Sequence, residues 1–444
     1  MDAPIPIYDL RGDADRDRFD ALLARWRADA SGRGDAARTV AGVIDEVRRD
    51  GDDAVVRCMR RWVDPNFDAD QIRVSPREMA AAAKGVDAAL MKTIREAIAN
   101  VLAYQTHIKP KDPEPITVDR AELGLRFTAV RSAGLTVPGG AAALFSTLIM
   151  LAVPAQVAGV DPRRIAVIHP PPTNREPDAA TQPPIVAATC HELGIETLYR
   201  VGGAQAVAAL AFGTQSIERV DLIAGPGNVY VQIAKAQLNG VVGTDGGFYG
   251  PSEILSIADG SADPAAVAAD LIAQAEHDPG RCVLVAWSTD VIDRIVSEMR
   301  AQLPQRSRRD AIESAMADES CAVLVADRSA AAAVADHVAC EHVNLAVVDP
   351  DRLMSQIRDA GEIFLGDRTP VAAGDYYAGP SHCLPTGGTA RYTSGVSVYT
   401  FLKRTGTVCY REGMECGQVE AIARLAEAEG LDGHAASVRI RRRE

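Results

Sequence analysis

The 444-residue chain contains no CxxC pair, no GxGxxG fingerprint and no HExxH sequence. The first absence, with eight scattered cysteines, speaks against a disulfide scaffold or a clustered thiolate metal site, so free and mostly buried thiols are expected. The second excludes the standard dinucleotide loop, and the third excludes the commonest zinc-hydrolase helix. Basic residues are in deficit: 47 Lys+Arg stand against 60 Asp+Glu, a net charge of −13 that disfavours nucleic acid and anionic lipid as partners. The one basic cluster, Arg439 with Arg441, Arg442 and Arg443, reads as a solvated end. No apolar run reaches the ~20 residues of a membrane span. The longest, around Leu144–Ala158, ends in Pro154 and Gln156, and Met1–Pro4 has no basic region before an apolar stretch. A cytosolic protein with no targeting segment is therefore expected.

What is present fits an ordinary globular chain: 47% hydrophobic, 24% charged and only 5% aromatic. At roughly 150 residues per domain, two or three domains follow. The first ~120 residues read as helical. Ser75-Pro76-Arg77-Glu78 carries a capping-box signature with proline at the first helical position, and apolar residues at helical spacing run from Met79 to about His107. Beyond Leu125, short apolar runs such as Ile165–Ile168, Leu222–Ala224, Val283–Ala286 and Ala322–Val325 alternate with helical segments. Strands apolar on both faces and separated by helices imply covered parallel sheets. The six prolines of Pro170–Pro184 mark a surface loop, and a second sheet is expected to begin near Pro251 after the glycine-rich passage Gly240–Gly250. The reading is two α/β domains, a helical N-terminal arm and a final helical segment from about Gly413.

Two glycine turns carry candidate chemistry. Gly225-Pro226-Gly227-Asn228 sits between a strand and the helical run Val229–Leu238, and Gly202-Gly203-Ala204-Gln205 precedes Ala206–Ala211. Backbone N–H groups at such a helix start can receive phosphate, although similar turns occur throughout α/β proteins. In Asp270–Pro279, Gln274 and His277 share the last helical turn with Asp270 and Glu276 nearby, which fits a metal site or simply a polar helix end. Glu341-His342 precedes the apolar run Leu345–Val348; Asp375 and His382 share a glycine- and proline-bounded loop; Glu429 and His434 close a helix. Four of the eight histidines thus lie beside carboxylates, favouring a metal, a general base, or both.

These segments, in order, resemble the histidinol dehydrogenase family. The resemblance rests on Pro138-Gly139-Gly140 with Leu144–Thr147, Val201–Ala206, Gly225–Asn228, Gly250-Pro251-Ser252-Glu253, Gln274–His277, Glu341-His342, Gly374-Asp375, His382–Thr386, and Glu429 with His434. It implies an aldehyde-dehydrogenase-like fold of two incomplete Rossmann-type domains. Residues 1–36 would form the arm, 37–135 with 254–395 the catalytic domain, 136–253 the NAD-binding domain, and 396–444 a helical segment reaching a partner subunit. The resemblance further implies zinc held by Gln274, His277, Asp375 and His434, and general bases at Glu341 and His342. Substrate contacts fall on Ser252, His382 and Glu429 besides the metal ligands and His342. NAD contacts fall on Thr136, Gln205 and Asn228. The activity implied is the four-electron oxidation of L-histidinol to L-histidine, by a homodimer with shared sites. Two other readings compete: a related dehydrogenase of another amino alcohol or diol, and a zinc hydrolase. The chain departs from the family pattern at Thr136, where many members carry Tyr, and at Asn344 and Ser381.

Overall fold

The computed structural model describes residues 5–30, 34–139, 144–171, 184–277 and 280–441. Most of the Pro170–Pro184 loop, Gly140, Asp278 and Pro279 lie outside the described residues. The chain divides into two compact units, one formed by Met1–Ile108 and Val130–Phe401, the other by Lys109–Ala129 and Leu402–Glu444.

The first unit holds two six-stranded sheets. One is wholly parallel, in the spatial order Ile7–Asp9, Cys321–Leu324, Gly280–Ala286, Ser252–Ala258, His342–Ala346, Glu362–Leu365. Its strands are buried on both faces because alternate side chains feed two separate cores. Ile254, Leu284 and Ala322 pack on Leu271, Ile292 and Ile312 of the helices Pro264–Ala275, Thr289–Gln302 and Arg309–Asp318. Leu255, Val283 and Val323 pack on Phe19, Leu23 and Trp26 of the helix Arg16–Ala30. The expected N-terminal arm is therefore built into this sheet: its helix covers one face, and Ile7–Asp9 is the edge strand.

The second sheet runs Arg73–Val74, Thr197–Tyr199, Ile165–Ile168, Ala133–Thr136, Leu222–Ala224, Gly243–Thr244, parallel except where Arg73–Val74 pairs antiparallel with Thr197–Tyr199. The two parallel-sheet layers agree with the expected fold class. The apolar stretch around Leu144–Ala158 is the helix Phe145–Ala158, buried nearly all round against its neighbours. The capping box at Ser75 forms: its hydroxyl accepts from the Glu78 N–H at 3.2 Å and the Glu78 carboxylate accepts from the Ser75 N–H at 2.8 Å. The long helical run after it is two helices, Pro76–Gly85 and Ala88–Ile108.

Two boundaries differ from those expected. Val40, Val43, Ile44 and Val47 fall at helical spacing on one face of Asp35–Asp50, and this face packs with Val55, Met59, Phe67 and Ile72 against Ala208, Ile223 and Ile233. Residues 40–72 thus belong to the core of the second sheet, not with 254–395. The segment 396–444 is not all helical either. Leu402–Cys409 is a strand paired antiparallel along its whole length with Ala121–Ala129, which also pairs with Ile116–Val118. The second unit is this small sheet with the helices Cys416–Ala428 and Asp432–Arg439, joined through Val419, Ala423, Ala435 and Val438. A two-residue-period strand is nearly invisible in LKRTGTVC, whose side chains are mostly exposed on both faces.

Truncating Leu284, fully buried in the first sheet, to alanine is expected to cost about 2–5 kcal/mol through the cavity left behind. A denaturation midpoint unchanged from that of the parent would contradict this packing.

Candidate active site

The carboxyl ends of the second sheet and the amino ends of the first line one cleft. From the second sheet come Pro138, just past Ala133–Thr136, and Pro226, Gly227 and Asn228, just past Leu222–Ala224. From the first come Ser252, which opens its strand, and Glu341-His342, at the start of another. His277, Asp375, Tyr376, His382 and Cys383 complete the walls of a cavity of about 490 Å³, with Ser146 and Thr147 from the helix Phe145–Ala158.

The backbone of one residue, Glu253, organises the two candidate bases. The Glu253 N–H donates to Glu341 Oε2 at 2.8 Å, and His342 Nδ1 lies 3.0 Å from the Glu253 carbonyl oxygen. A carbonyl only accepts, so Nδ1 carries the proton and Nε2 is the end left for chemistry. His342 Nε2 lies 3.5 Å from Asp375 Oδ1. Both bases are buried. Burial pushes the Glu341 carboxyl up, against the pull of His342. Burial opposes charging His342, yet Glu341 and Asp375 outweigh it and raise its affinity for protons. Asp375 is held below its ordinary value: burial would raise it, but the bond and charge of His342 prevail.

A second histidine is fixed in the opposite sense to solvent chemistry. His382 Nδ1 donates to the Asp375 carbonyl oxygen at 2.7 Å, so its Nε2 accepts the Thr147 hydroxyl at 3.0 Å. Burial lowers its affinity for protons, which keeps it a neutral hydrogen-bonding group.

The expected metal ligands are partly gathered. His277 and Asp375 line the cleft. Gln274 is buried on the helix Pro264–Ala275, one turn beyond Asp270, whose carboxylate accepts the N–H of Val371 at the start of the short helix Val371–Tyr376 that carries Asp375. The Gln274 Nε2 has no partner, and because amide oxygen and nitrogen are interchangeable by a flip, this buried amide end is open to a ligand. Among the described residues, no three His, Cys, Asp or Glu side chains converge as a metal site. Glu429 ends the helix Cys416–Ala428 and His434 lies in Asp432–Arg439; both are exposed members of the second unit.

The cofactor positions are divided. Asn228 is exposed and lines the cleft, but its Oδ1 accepts from the N–H groups of Tyr230 and Val231, both at 3.1 Å. The bare donors expected at that helix start are thus capped by the asparagine itself. Thr136 is buried, its hydroxyl donating to the carbonyls of Pro226 at 2.9 Å and Ala224 at 3.3 Å. Gln205 is buried with its amide 3.6 Å from Met59 Sδ, and neither residue lines the cleft. Thr136 supports the cleft turn from behind through Pro226, whereas Gln205 packs against Met59 of the second sheet's core.

A family model described as histidinol dehydrogenase matches residues 27–442, a span that includes every candidate site residue. The chain belongs to the histidinol dehydrogenase family. It is 43% identical over 404 residues to a protein named histidinol dehydrogenase from a Synechococcus species, covering 91% of each chain. A histidinol dehydrogenase from Rhodospirillum rubrum is 42% identical over 426 residues, 95% of each chain. Among solved structures, histidinol dehydrogenase from Elizabethkingia anophelis superposes with a TM-score of 0.88 at 29% identity, covering 99% of this chain and 98% of the other.

Several site residues of this histidinol dehydrogenase family member carried no clear sequence signal. Thr147 holds His382, and Tyr376 and Tyr249 line the cleft. Glu253, inside the Gly250–Glu253 motif, turns out to bracket both bases. Its own buried carboxylate meets Arg281 at 3.3 Å and accepts from the Gly387 N–H at 2.9 Å. A charged residue at the head of an apolar strand was the available clue.

Six of the eight cysteines are buried as free thiols: Cys58, Cys190, Cys282, Cys321, Cys340 and Cys383. Burial pushes the Cys383 and Cys340 thiols well up, so neither is a thiolate near neutrality. Iodoacetamide at pH 7.5 is expected to spare Cys340 and Cys383 in the folded protein and to label both after denaturation. Peptide mass spectrometry finding native Cys383 alkylated would show a reactive thiol instead.

Proposed function

We propose that this protein oxidises L-histidinol through L-histidinaldehyde to L-histidine, the closing steps of histidine biosynthesis, with NAD as acceptor and zinc as the resident metal. The observation that carries the reading is the Glu253 backbone, whose N–H and C=O hold Glu341 and His342 side by side in a cleft walled on one side by a glycine turn and on the other by His277 and Asp375.

The donor set suits zinc. An imidazole, a carboxylate and the open amide end of Gln274 come from one chain, and His434 of the partner subunit completes four ligands. Bound there, zinc supplies the charge that grips the imidazole and amine nitrogens of the substrate. The Gly225–Asn228 turn would hold NAD, which would supply the hydride acceptor. Glycine is needed in that turn: a Cβ on Gly227 would lie 2.5 Å from the Val231 side chain, and Gly225 has φ +119°.

In the first oxidation, His342 Nε2 takes the hydroxyl proton as hydride leaves carbon, and Asp375 stabilises the imidazolium that forms. In the second, Glu341 takes a proton from the water that adds to the aldehyde carbon while the carbonyl oxygen takes back the proton held by His342, giving the hydrate; His342 then takes a hydroxyl proton again as the second hydride leaves. Burial makes Glu341 a stronger base than an exposed carboxylate. Hydration replaces a thioester, in keeping with the protonated Cys383. Ser252 and His382 hold the substrate, and Glu429 of the partner subunit reads its far end. The enzyme works as a homodimer in the cytosol; among the described residues no helix is long and apolar enough to cross a membrane.

With purified protein, zinc, NAD and L-histidinol, two reduced cofactors are expected per substrate consumed. A yield of one means that the aldehyde escapes. His342→Gln is expected to lower kcat by roughly 10²–10⁴-fold while zinc content by atomic absorption is retained. Sharing of the site is tested by co-expressing two dead variants, His342→Gln and His434→Ala. Hybrid dimers carry one intact site, so about a quarter of parental activity should return; no recovery would mean that each chain serves its own site.

A further inference from the structure

Behind the cleft lies an ion pair that the chemistry above does not use. Lys235, on the inner face of the helix Val229–Leu238, is 3% exposed, and its Nζ lies 2.5 Å from Asp245 Oδ1, whose carboxylate is fully enclosed. Such a pair contributes little net stability, because desolvating two charges offsets their attraction. Its bonds point elsewhere. Lys235 Nζ donates to the Gly225 carbonyl oxygen at 2.8 Å, and Asp245 Oδ2 accepts the Gly225 N–H at 2.7 Å. Both backbone groups of the first residue of the cleft turn are thereby clamped. Thr136 holds the next carbonyl, that of Pro226.

The same pair reaches the opposite wall. Lys235 Nζ sits 4.9 Å from the centre of the Tyr249 ring. The Tyr249 hydroxyl donates to the Ser394 carbonyl oxygen at 3.3 Å, and the Gly250 N–H donates to Thr386 Oγ1 at 2.8 Å. Tyr249 and Gly250 line the cleft and lead directly into Ser252.

We infer that Lys235 and Asp245 are positioning residues that set the spacing between the glycine turn, where the dinucleotide is proposed to lie, and the Tyr249–Ser252 wall that leads to the substrate. The inference rests on the proposed seat of NAD. A buried charge pair does this better than apolar packing, because directed bonds to one glycine's N–H and C=O specify the orientation of its peptides as well as their position.

The test is the full-length zinc enzyme carrying Lys235→Met with Asp245→Leu, which removes both charges without stranding either. Folding is checked by circular dichroism and zinc content. The expected result is a rise of tenfold or more in KM for NAD, with KM for histidinol within twofold of the parent. Protection against thermal unfolding by NAD should be lost and that by histidinol kept. Unchanged KM and protection by NAD in the folded double variant would overturn the inference, as would equal losses toward both ligands, which indicate a merely structural role. Should the double variant not fold, Asp245→Asn keeps the shape but not the charge. It is expected to raise KM for NAD at least threefold, and an unchanged value would overturn the inference. Asn228→Ala separates the underlying reading. Full NAD protection in that variant places the dinucleotide elsewhere, whereas protection lost there but intact in the double variant sinks the positioning role alone.

Discussion

The backbone of one residue, Glu253, is the constraint on which the rest of the site depends. Its N–H, in the peptide from Ser252, goes to Glu341 and its C=O, in the peptide to Ile254, goes to His342, so the two candidate bases are tied to strand backbone. Glu253 is in turn anchored by its own buried carboxylate, gripped by Arg281 and the Gly387 N–H. Arg281 also lies over the Trp26 ring at 5.3 Å, which ties the site to the core under the helix Arg16–Ala30. Proton transfer needs hydrogen-bond geometry held within fractions of an ångström, and backbone bonds in the middle of a covered sheet hold it most rigidly.

The two sheets meet end to end in opposite senses. Parallel α/β sheets ordinarily bind ligands beyond the carboxyl ends of their strands, where glycine turns lead into helices, and the second sheet follows that rule with Gly225–Asn228. The first sheet presents its amino ends instead. Strand starts bring residues in front of the ladder, such as Glu341 and His277, together with first-register residues such as His342 and Ser252. One wall therefore suits a cofactor and the other carries side-chain chemistry. The Gly225–Asn228 turn departs from a simple phosphate cradle because Asn228 satisfies its own helix.

Local signals told much of this in advance. Ser75–Glu78 capped its helix as the residue pattern required, the runs at Ile165 and Leu222 became strands with the bounds expected, and a strand of the other parallel sheet does open at Ser252, although that sheet also takes in Ile7–Asp9. The strands Ile7–Asp9, Arg73–Val74 and Leu402–Cys409 escaped notice because short or exposed strands bury too little to leave an alternating pattern. The same limit misplaced the stretch after residue 37: the apolar face of Asp35–Asp50 shows that it is covered, not which sheet covers it.

What the amino-acid order determined by itself was the set of chemical groups and their local seats: Glu341 beside His342, Asn228 at a helix start, His277 just past a helix end. These depend on neighbours within a few residues, where backbone sterics and capping act. Tertiary structure alone decided which groups meet. It joined Thr147 to His382 across 235 residues and Glu253 to Glu341 across 88, and it buried Thr136 behind the glycine turn and Gln205 against Met59, neither of them lining the cleft. Such pairings follow from how two cores pack and twist against each other, a collective outcome of many weak apolar contacts that no short stretch of residues encodes.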